Sequence, residues 1–264
     1  MSGTEHLRVE RHGATVVVTM DRPEARNALS PSMLVGLADA WAEIDGDDDV
    51  RCAVLTGAGG HFCSGMDLKA MSGFVSDEHR ERMRADPDLH WKALLRHYSL
   101  RKPLVAAVEG YAVAGGTEIL QATDIRVAGA GATLGVFEAR RGLFPLGGST
   151  VRLRRQIPYT IAMEILLTGR PVTAEEALRI GLVGRVVPDG TALDEALRIA
   201  ELVAANGPLA VEAIKRSVRE TEGLSEEDGL KLELEIGWPV FSTEDAQEGP
   251  RAFAEKRTPE LRRR

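Results

Sequence analysis

The sequence predicts an α/β protein whose first two thirds alternate strands and helices and whose last third is dominated by helices. Two observations carry this expectation. Short apolar runs, Cys52 to Thr56 and Leu104 to Val108, are each followed by a glycine-rich turn and then by a helix-like stretch. From Pro158 onward, segments with helical spacing follow one another with short breaks.

Leu7 to Glu10 and Thr15 to Met20 read as two β segments joined by the turn His12-Gly13. After a loop containing Pro23 and Asn27, Ser30-Pro31 is a cap followed by proline in the first helical turn, which predicts a helix to about Ile44. Cys52 to Thr56 is a buried strand ended by Gly57 to Gly60. Residues 72–90 are polar and weakly periodic, which predicts a mobile surface segment before a helix at about 89–99. The strand Leu104 to Val108 leads to the small-residue turn Ala114-Gly115-Gly116 and a helix from Thr117 to about Thr123. Ile125 to Ala128 is a further strand, and Gly135 begins a loop. Helices are then expected at about 161–167, 174–180, 193–205, 209–221, 225–237 and 243–256. No internal repeat is strong enough to name.

Composition narrows the function classes. With 44% hydrophobic and 28% charged residues over 264 positions, the chain has enough apolar material for one substantial globular core. Lys and Arg total 33 against 40 Asp and Glu, and this acidic balance of −7 argues against a nucleic-acid partner. The basic run Arg262-Arg263-Arg264 reads as a frayed terminus. Two cysteines, Cys52 and Cys63, make neither a disulfide framework nor a metal-ligand pattern. Residues 1–6 show no basic-then-apolar opening, and apolar runs are broken before membrane-spanning length, so a cytoplasmic protein without a membrane partner is expected. The histidines at 6, 12, 61, 79, 90 and 97 lack metal spacing, so no metal is expected. Gly57-Ala58-Gly59-Gly60-His61-Phe62 ends in Phe where a dinucleotide fingerprint needs glycine.

Chemistry concentrates at two glycine turns and two glutamates. In the stretch from Lys102 to Gln121, a buried strand enters a turn that opens a helix. The first N–H groups of a helix lack internal partners and lie at its positive end, so they can hold an oxyanion. The N–H of Gly115 is one candidate donor, although a glycine there can also serve only strand–helix packing. Phe62 to Lys69 repeats the logic after the strand at 52–56, with the N–H of Met66 as the second donor. Glu118 lies between apolar flanks, where desolvation raises a carboxyl pKa toward the range useful for proton transfer. Its alternative is a partly exposed first-turn Glu favoured by the helix dipole. Glu138, taken alone, reads as a surface residue paired with a neighbouring Arg.

At these residues the chain resembles the enoyl-CoA hydratase/isomerase (crotonase) family. Lys-Pro-Leu-Val-Ala-Ala-Val-x-Gly-Tyr-Ala-x-x-Gly-Gly-x-Glu at 102–118 is similar to the second oxyanion-turn signature of that family, and Phe62 through Leu68 to its first. Asn27-Ala28-Leu29 after Arg22-Pro23 resembles its N-terminal CoA loop, and Phe253-x-Glu255-Lys256-Arg257 its C-terminal helix. The resemblance spans roughly Val9 to Arg257. It implies a crotonase-like spiral core of repeated ββα units over 1–200, holding the CoA and acyl site, with a C-terminal helical trimerisation region over 201–264. By position it makes Met66 and Gly115 the oxyanion hole, and Glu118 and Glu138 the acid–base pair of true hydratases, Glu118 activating water and Glu138 donating the proton. Ala25, Arg26, Ser64, Asp67 and Leu68 fall in its nucleotide and pantetheine contacts, while Phe253 and Lys256 resemble residues that reach the CoA of a neighbouring subunit.

The resemblance further implies an acyl-CoA substrate, no separate cofactor, a homotrimer or homohexamer, and an acyl pocket shaped by the segment at 72–90 with Leu143, Phe144 and Leu146. Three positions depart from the pattern: Met66 in place of a smaller residue, Glu109 in place of an uncharged one, and the turn Phe144-Pro145-Leu146-Gly147-Gly148-Ser149. The stretch from Ala114 to Gln121 is also similar to relatives acting on bulky, sterol-type side chains. Hydration of a trans-2-enoyl-CoA is therefore the expected reaction. A double-bond isomerase using one glutamate, and a non-catalytic acyl-CoA or RNA binder, are the alternatives.

Overall fold

The computed structural model describes residues 3–67 and 77–264. A six-stranded sheet has the order β1-β2-β3-β4-β6-β9: β1 (Leu7–His12), β2 (Thr15–Met20), β3 (Cys52–Gly57), β4 (Leu104–Val108), β6 (Ile125–Gly129) and β9 (Arg185–Val187). Only the β1–β2 hairpin is antiparallel. A second, three-stranded sheet is formed by β5 (Tyr111–Val113), β7 (Thr133–Gly135) and β8 (Val172–Thr173), in that order.

The helices are α1 (Pro31–Gly46), α2 (Asp77–Ala85), α3 (Leu89–Ala93), α4 (Gly115–Leu120), α5 (Ser149–Gln156), α6 (Tyr159–Thr168), α7 (Ala174–Arg179), α8 (Ala192–Ala204), α9 (Pro208–Glu220), α10 (Glu226–Gly237) and α11 (Glu244–Ala254). Ser30 caps α1, its hydroxyl accepting from Met33 N at 3.2 Å. Among the described residues no helix is long and apolar enough to cross a membrane.

The central strands are apolar along their whole length because both faces of the sheet are covered. Val16, Val18, Ala53, Leu55, Leu104, Ala106 and Val108 belong to the main core with α1. The alternate residues Val17, Cys52, Val54, Val105, Ala107 and Val127 pack against Ala192, Ala196, Ile199 and Ala200 of α8. A helix late in the chain thus closes the back of a sheet formed early.

The spiral of ββα units is visible in how the two sheets connect. β4 turns sharply into β5 and then α4; β6 turns into β7 and then a 3-10 turn at Glu138–Arg141. β4 pairs in parallel with β6, and β5 pairs in parallel with β7, so the two units stack in register. Cys63 extends the second sheet from the β3 unit through a parallel bridge to Ala112. The unit repeats in backbone path and not in sequence, because parallel pairing constrains hydrogen-bonding groups rather than side chains.

Several expectations are corrected. β5, β7, β8 and β9 are two or three residues long, too short for alternation to reveal them, and α5 went unread because Arg and Gln fill most of its exposed face. The second half of the supposed mobile segment is helical, as α2 and the start of α3, and its first part overlaps 68–76, outside the described residues. The helix expected at 89–99 stops at Ala93, where Leu95 takes φ 53°. The C-terminal tail is held rather than frayed: Asp245 accepts from the backbone N–H groups of Arg262 (2.6 Å) and Arg263 (2.9 Å), and Arg263 pairs with Glu212.

Candidate active site

Parallel pairing places the ends of neighbouring strands side by side, and here it assembles both glycine turns. Cys63 N donates to Tyr111 O (2.8 Å) and Val113 N to Cys63 O (3.0 Å), which draws the turn at 64–67 against the turn at 114–116. Leu29 joins from the N-terminal loop: its N–H donates to Gly65 O (2.8 Å), and its carbonyl accepts from Asp67 N (3.1 Å). A side chain built at Gly115 would lie 3.5 Å from Met66 N, and one at Gly116 only 2.3 Å from Cys63 O, so the two turns pack too closely for anything but glycine at 116.

Ala114 caps α4 at φ 49° and ψ −126°, a conformation disfavoured for a residue with a Cβ. It is held by Ala114 N donating to Gly135 O (2.8 Å) and Glu118 N donating to Ala114 O (3.0 Å). Thr117 reinforces the turn, its hydroxyl lying 2.8 Å from Gly135 O and also against Ala112 O. Among the described residues, the N–H groups of Met66 and Gly115 make no turn, loop or cap hydrogen bond. The close approach of Gly115 to Met66 N places these two N–H groups side by side.

Register also brings the glutamates together. Val113 pairs with Gly135, so α4 and the 3-10 turn start from adjacent strand ends, with Glu118 on one and Glu138 on the other. Glu118 is 4% and Glu138 9% exposed, so neither is a surface carboxylate. Burial raises the pKa of both. At Glu118 this is opposed by the backbone N–H groups of Ser149, Gly147 and Gly148 and by the Ser149 hydroxyl. At Glu138, burial followed by repulsion from Glu118 pushes the pKa up to about 7, and Oε2 is buried without a hydrogen-bond partner among the described residues. Its neighbour Arg140 lies over the Phe137 ring at 5.7 Å instead of pairing with it.

The loop before α5, which the sequence marks only as a departure from the family pattern, holds Glu118. Ser149 N donates to Glu118 Oε1 at 3.1 Å. A side chain at Gly147 would lie 2.5 Å from Glu118 Oε2, so the carboxylate sits directly on the backbone there. Arg152 fastens the loop, donating to Gly147 O (3.2 Å) and to Leu95 O.

The other expected site residues fall into three places. Ser64 links the first turn to the N-terminal loop, its hydroxyl donating to Ala25 O (3.1 Å) and its N–H to Arg26 O (3.0 Å). Buried Asn27 completes that link through Ala58 O (2.9 Å) and His61 O (2.6 Å). Arg26 lies over the Tyr111 ring at 5.1 Å, and Tyr111 stacks on His61. The Asp67 carboxylate pairs with Arg22; Leu68 lies outside the described residues. Leu143, Phe144 and Leu146 are exposed on the loop between Glu138 and Ser149. Phe253 is 87% exposed on α11, which packs against the 3-10 turn Trp238–Ser242; within one chain neither it nor Lys256 joins the glutamates. Glu109 has a structural explanation: Oε1 accepts from Gly190 N and Ala192 N, both at 3.0 Å, capping α8.

The family model for enoyl-CoA hydratase/isomerase matches residues 10–264. The chain belongs to the enoyl-CoA hydratase/isomerase family. Within this family it is 56% identical, over 100% of its length and 98% of the relative, to enoyl-CoA hydratase EchA19 of Mycobacterium tuberculosis. It is 40% identical to (E)-benzylidenesuccinyl-CoA hydratase of Thauera aromatica, covering 97% and 98% of the two chains. The crystal structure of an enoyl-CoA hydratase from Bacillus anthracis superposes with a TM-score of 0.90 at 34% identity, covering 98% of this chain and 100% of that one. Within this fold the chain presents two closely packed glycine turns and two buried carboxyls. Among the described residues no group of three or more His, Cys, Asp or Glu could hold a metal ion.

Proposed function

We propose that the protein is an enoyl-CoA hydratase that reversibly adds water to a trans-2-enoyl-CoA, giving the 3-hydroxyacyl-CoA. The observation that carries this reading is the pairing of two buried, electrostatically coupled glutamates, Glu118 and Glu138, beside the open N–H groups of Met66 and Gly115. In it, the thioester oxygen accepts from both N–H groups, and negative charge moves onto that oxygen as water attacks the β-carbon. Each such donor is worth ~3 kcal/mol in the transition state. Glu118, held by several donors, is suited to exist as the carboxylate that takes the proton from water. Glu138, with a pKa of about 7 and no donor at its buried oxygen, is suited to carry the proton delivered to the α-carbon. The C2–C3 π bond, one water O–H bond and the Glu138 O–H bond break, C–O and C–H bonds form, and the proton passes from Glu138 to Glu118 overall; the reverse steps dehydrate the product.

The test is loss of the conjugated thioester absorbance when protein is mixed with a trans-2-enoyl-CoA. Glu118→Gln and Glu138→Gln are each expected to lower kcat by about 10²–10⁴-fold. Full activity in both variants excludes the mechanism.

The same reading places CoA along Ala25, Arg26, Ser64, Asp67 and Leu68 and the acyl chain past Leu143, Phe144 and Leu146. It needs no separate cofactor, and it is assigned to the cytoplasm. The exposed positions of the last three residues suit an acyl group that is long or bulky, and the relative named for a benzylidenesuccinyl thioester supports such a choice. We further propose that residues 201–264 assemble a homotrimer or a homohexamer, with Phe253 and Lys256 reaching the CoA of a neighbouring copy. In support, exposed Ile214, Val218, Leu234, Trp238 and Phe241 line a continuous apolar groove of about 420 Å³ between α9 and α10. Light scattering should give a mass of three or six chains, and Leu234→Glu should reduce it; a wild-type monomer refutes the assembly.

A further inference from the structure

Arg152 stands on α5 one turn after Ser149, the residue whose N–H donates to Glu118 Oε1 at 3.1 Å, and it belongs to neither glycine turn nor the acid–base pair. Its guanidinium donates from Nη1 to Gly147 O (3.2 Å) and, at 3.5 Å, to Glu118 O, and from Nη2 to Leu95 O. Three segments distant in the chain therefore converge on one side chain: the turn after α3, the start of α4 and the loop before α5. Gly147 and Leu95 are buried, and a buried carbonyl needs a donor. Among the described residues neither carbonyl accepts a turn, loop or cap hydrogen bond from a backbone N–H. Arg152 supplies that donor to both.

Gly147 lies between opposite charges. A side chain built on it would meet Glu118 Oε2 at 2.5 Å, while its carbonyl faces the guanidinium. Next to it, Gly148 takes φ 124°, and a Cβ there would come within 3.1 Å of Arg152 Nη1, so the guanidinium rests directly on the loop backbone. With glycine at 142, 147 and 148, this loop loses much conformational freedom when it is fixed. Charge-assisted bonds from a planar fork are suited to fix it, since separate N–H groups of one rigid head reach separate carbonyls.

We propose that Arg152 is a positioning residue: by clasping Gly147 O and Leu95 O together it holds the loop backbone, and with it the Ser149 N–H, on the carboxylate of Glu118. The inference rests on the hydratase reading for its purpose, but the clasp is testable without turnover. Arg152→Lys keeps the positive charge and loses the fork; Arg152→Met keeps an apolar stem and loses both. Arg219 of α9, Glu118, Arg96 and Glu222, the charged groups that bear on Arg152, are unchanged in either variant.

The experiment is hydrogen exchange of the full-length protein, read at single amides by NMR. The first N–H groups of a helix have no partner within it, so protection of the Ser149 amide depends on its bond to Glu118. Ala106, buried in β4 at the centre of the sheet, reports on the stability of the core. In Arg152→Lys the Ser149 amide is expected to exchange at least about tenfold faster while Ala106 is unchanged, and Arg152→Met should exceed it. Hydration kinetics should show kcat lower by about tenfold in Arg152→Lys and about 100-fold in Arg152→Met, with KM changed by less than about threefold. Unchanged exchange at Ser149 overturns the proposal, as does equal acceleration at Ser149 and Ala106, which marks a residue that only stabilises the fold. Faster exchange at Ser149 with wild-type kcat overturns it too. If Arg152→Met does not fold, Arg152→Lys decides by the same comparison. Absence of hydration by the wild-type protein would instead overturn the hydratase reading, and the ratio of exchange at Ser149 to that at Ala106 would still judge the clasp.

Discussion

Glu138 is a carboxyl whose surroundings favour the protonated form, and its protonation is therefore linked to stability. Its folded pKa of about 7 lies above the ordinary 4.5, so between those values the folded state binds a proton that the unfolded state releases. The stabilisation is complete below pH 4.5 and is lost as pH rises through 7. Glu138→Gln removes a group that must ionise in a buried site. Its stability relative to wild type should therefore grow across that window, by up to about 3 kcal/mol, while hydration falls. Denaturant unfolding at pH 5 and pH 8 reads the difference; an equal offset at both would show that Glu138 ionises without penalty. The sequence placed Glu118 in an apolar setting from its own flanks. It contained no comparable sign for Glu138, whose neighbours Arg140 and Arg141 suggest an exposed ion pair. What buries Glu138 is the stacking of β7 on β5, a contact between segments some twenty residues apart.

At the scale of elements, the turn from β5 into α4 combines an N–H group that has no turn, loop or cap partner among the described residues with backbone strain. Ala114 holds φ 49° and ψ −126° because Gly135 O and the first turn of α4 engage it from both sides. Such conformations cost about 1–3 kcal/mol with a Cβ present, against ~1 kcal/mol of added unfolded-state entropy for glycine. Ala114→Gly should thus stabilise the protein by up to about 2 kcal/mol, seen as a higher thermal midpoint, with catalysis unchanged or reduced by loosening of Gly115. A loss of stability would show that the Ala114 methyl contributes packing greater than its strain. The longer elements were legible: β2, β3, β4 and α1 follow from runs of Val, Leu and Ala and from the Ser30-Pro31 start. The short strands of the second sheet were not, since two or three residues carry no period and owe their extended form to pairing partners supplied by other units.

At the scale of the whole molecule, the first half of the chain is tied to its last helices and tail. Arg51 reaches across to Ala204 O (3.0 Å) and to Leu261 O, and Lys102, fully buried, lies 3.3 Å from Glu212, which Arg263 also engages. Deleting residues 262–264 leaves Asp245 without its two backbone N–H donors and removes Arg263 from Glu212, which keeps Arg101 and Lys102. The deletion should lower stability by about 2 kcal/mol, since Asp245 is a buried carboxylate that is costly to leave without its donors. An unchanged thermal midpoint would return the tail to the status of a frayed end.

The sequence by itself determined the class of the fold, the two glycine turns and Glu118. Those depend on local apolar runs, on glycine and on the charge of a residue relative to its immediate neighbours. The tertiary structure decided the rest: the neighbouring placement of Met66 N and Gly115 N, the burial of Glu138, the cradle of Gly147 and Ser149 around Glu118, and the anchoring of the tail. Each of these is a meeting of segments distant in the chain, fixed by parallel strand register and by hydrogen-bonding groups that every residue carries. Residue identity reports such meetings only where, as at Gly116 and Gly147, the approach is too close for a side chain.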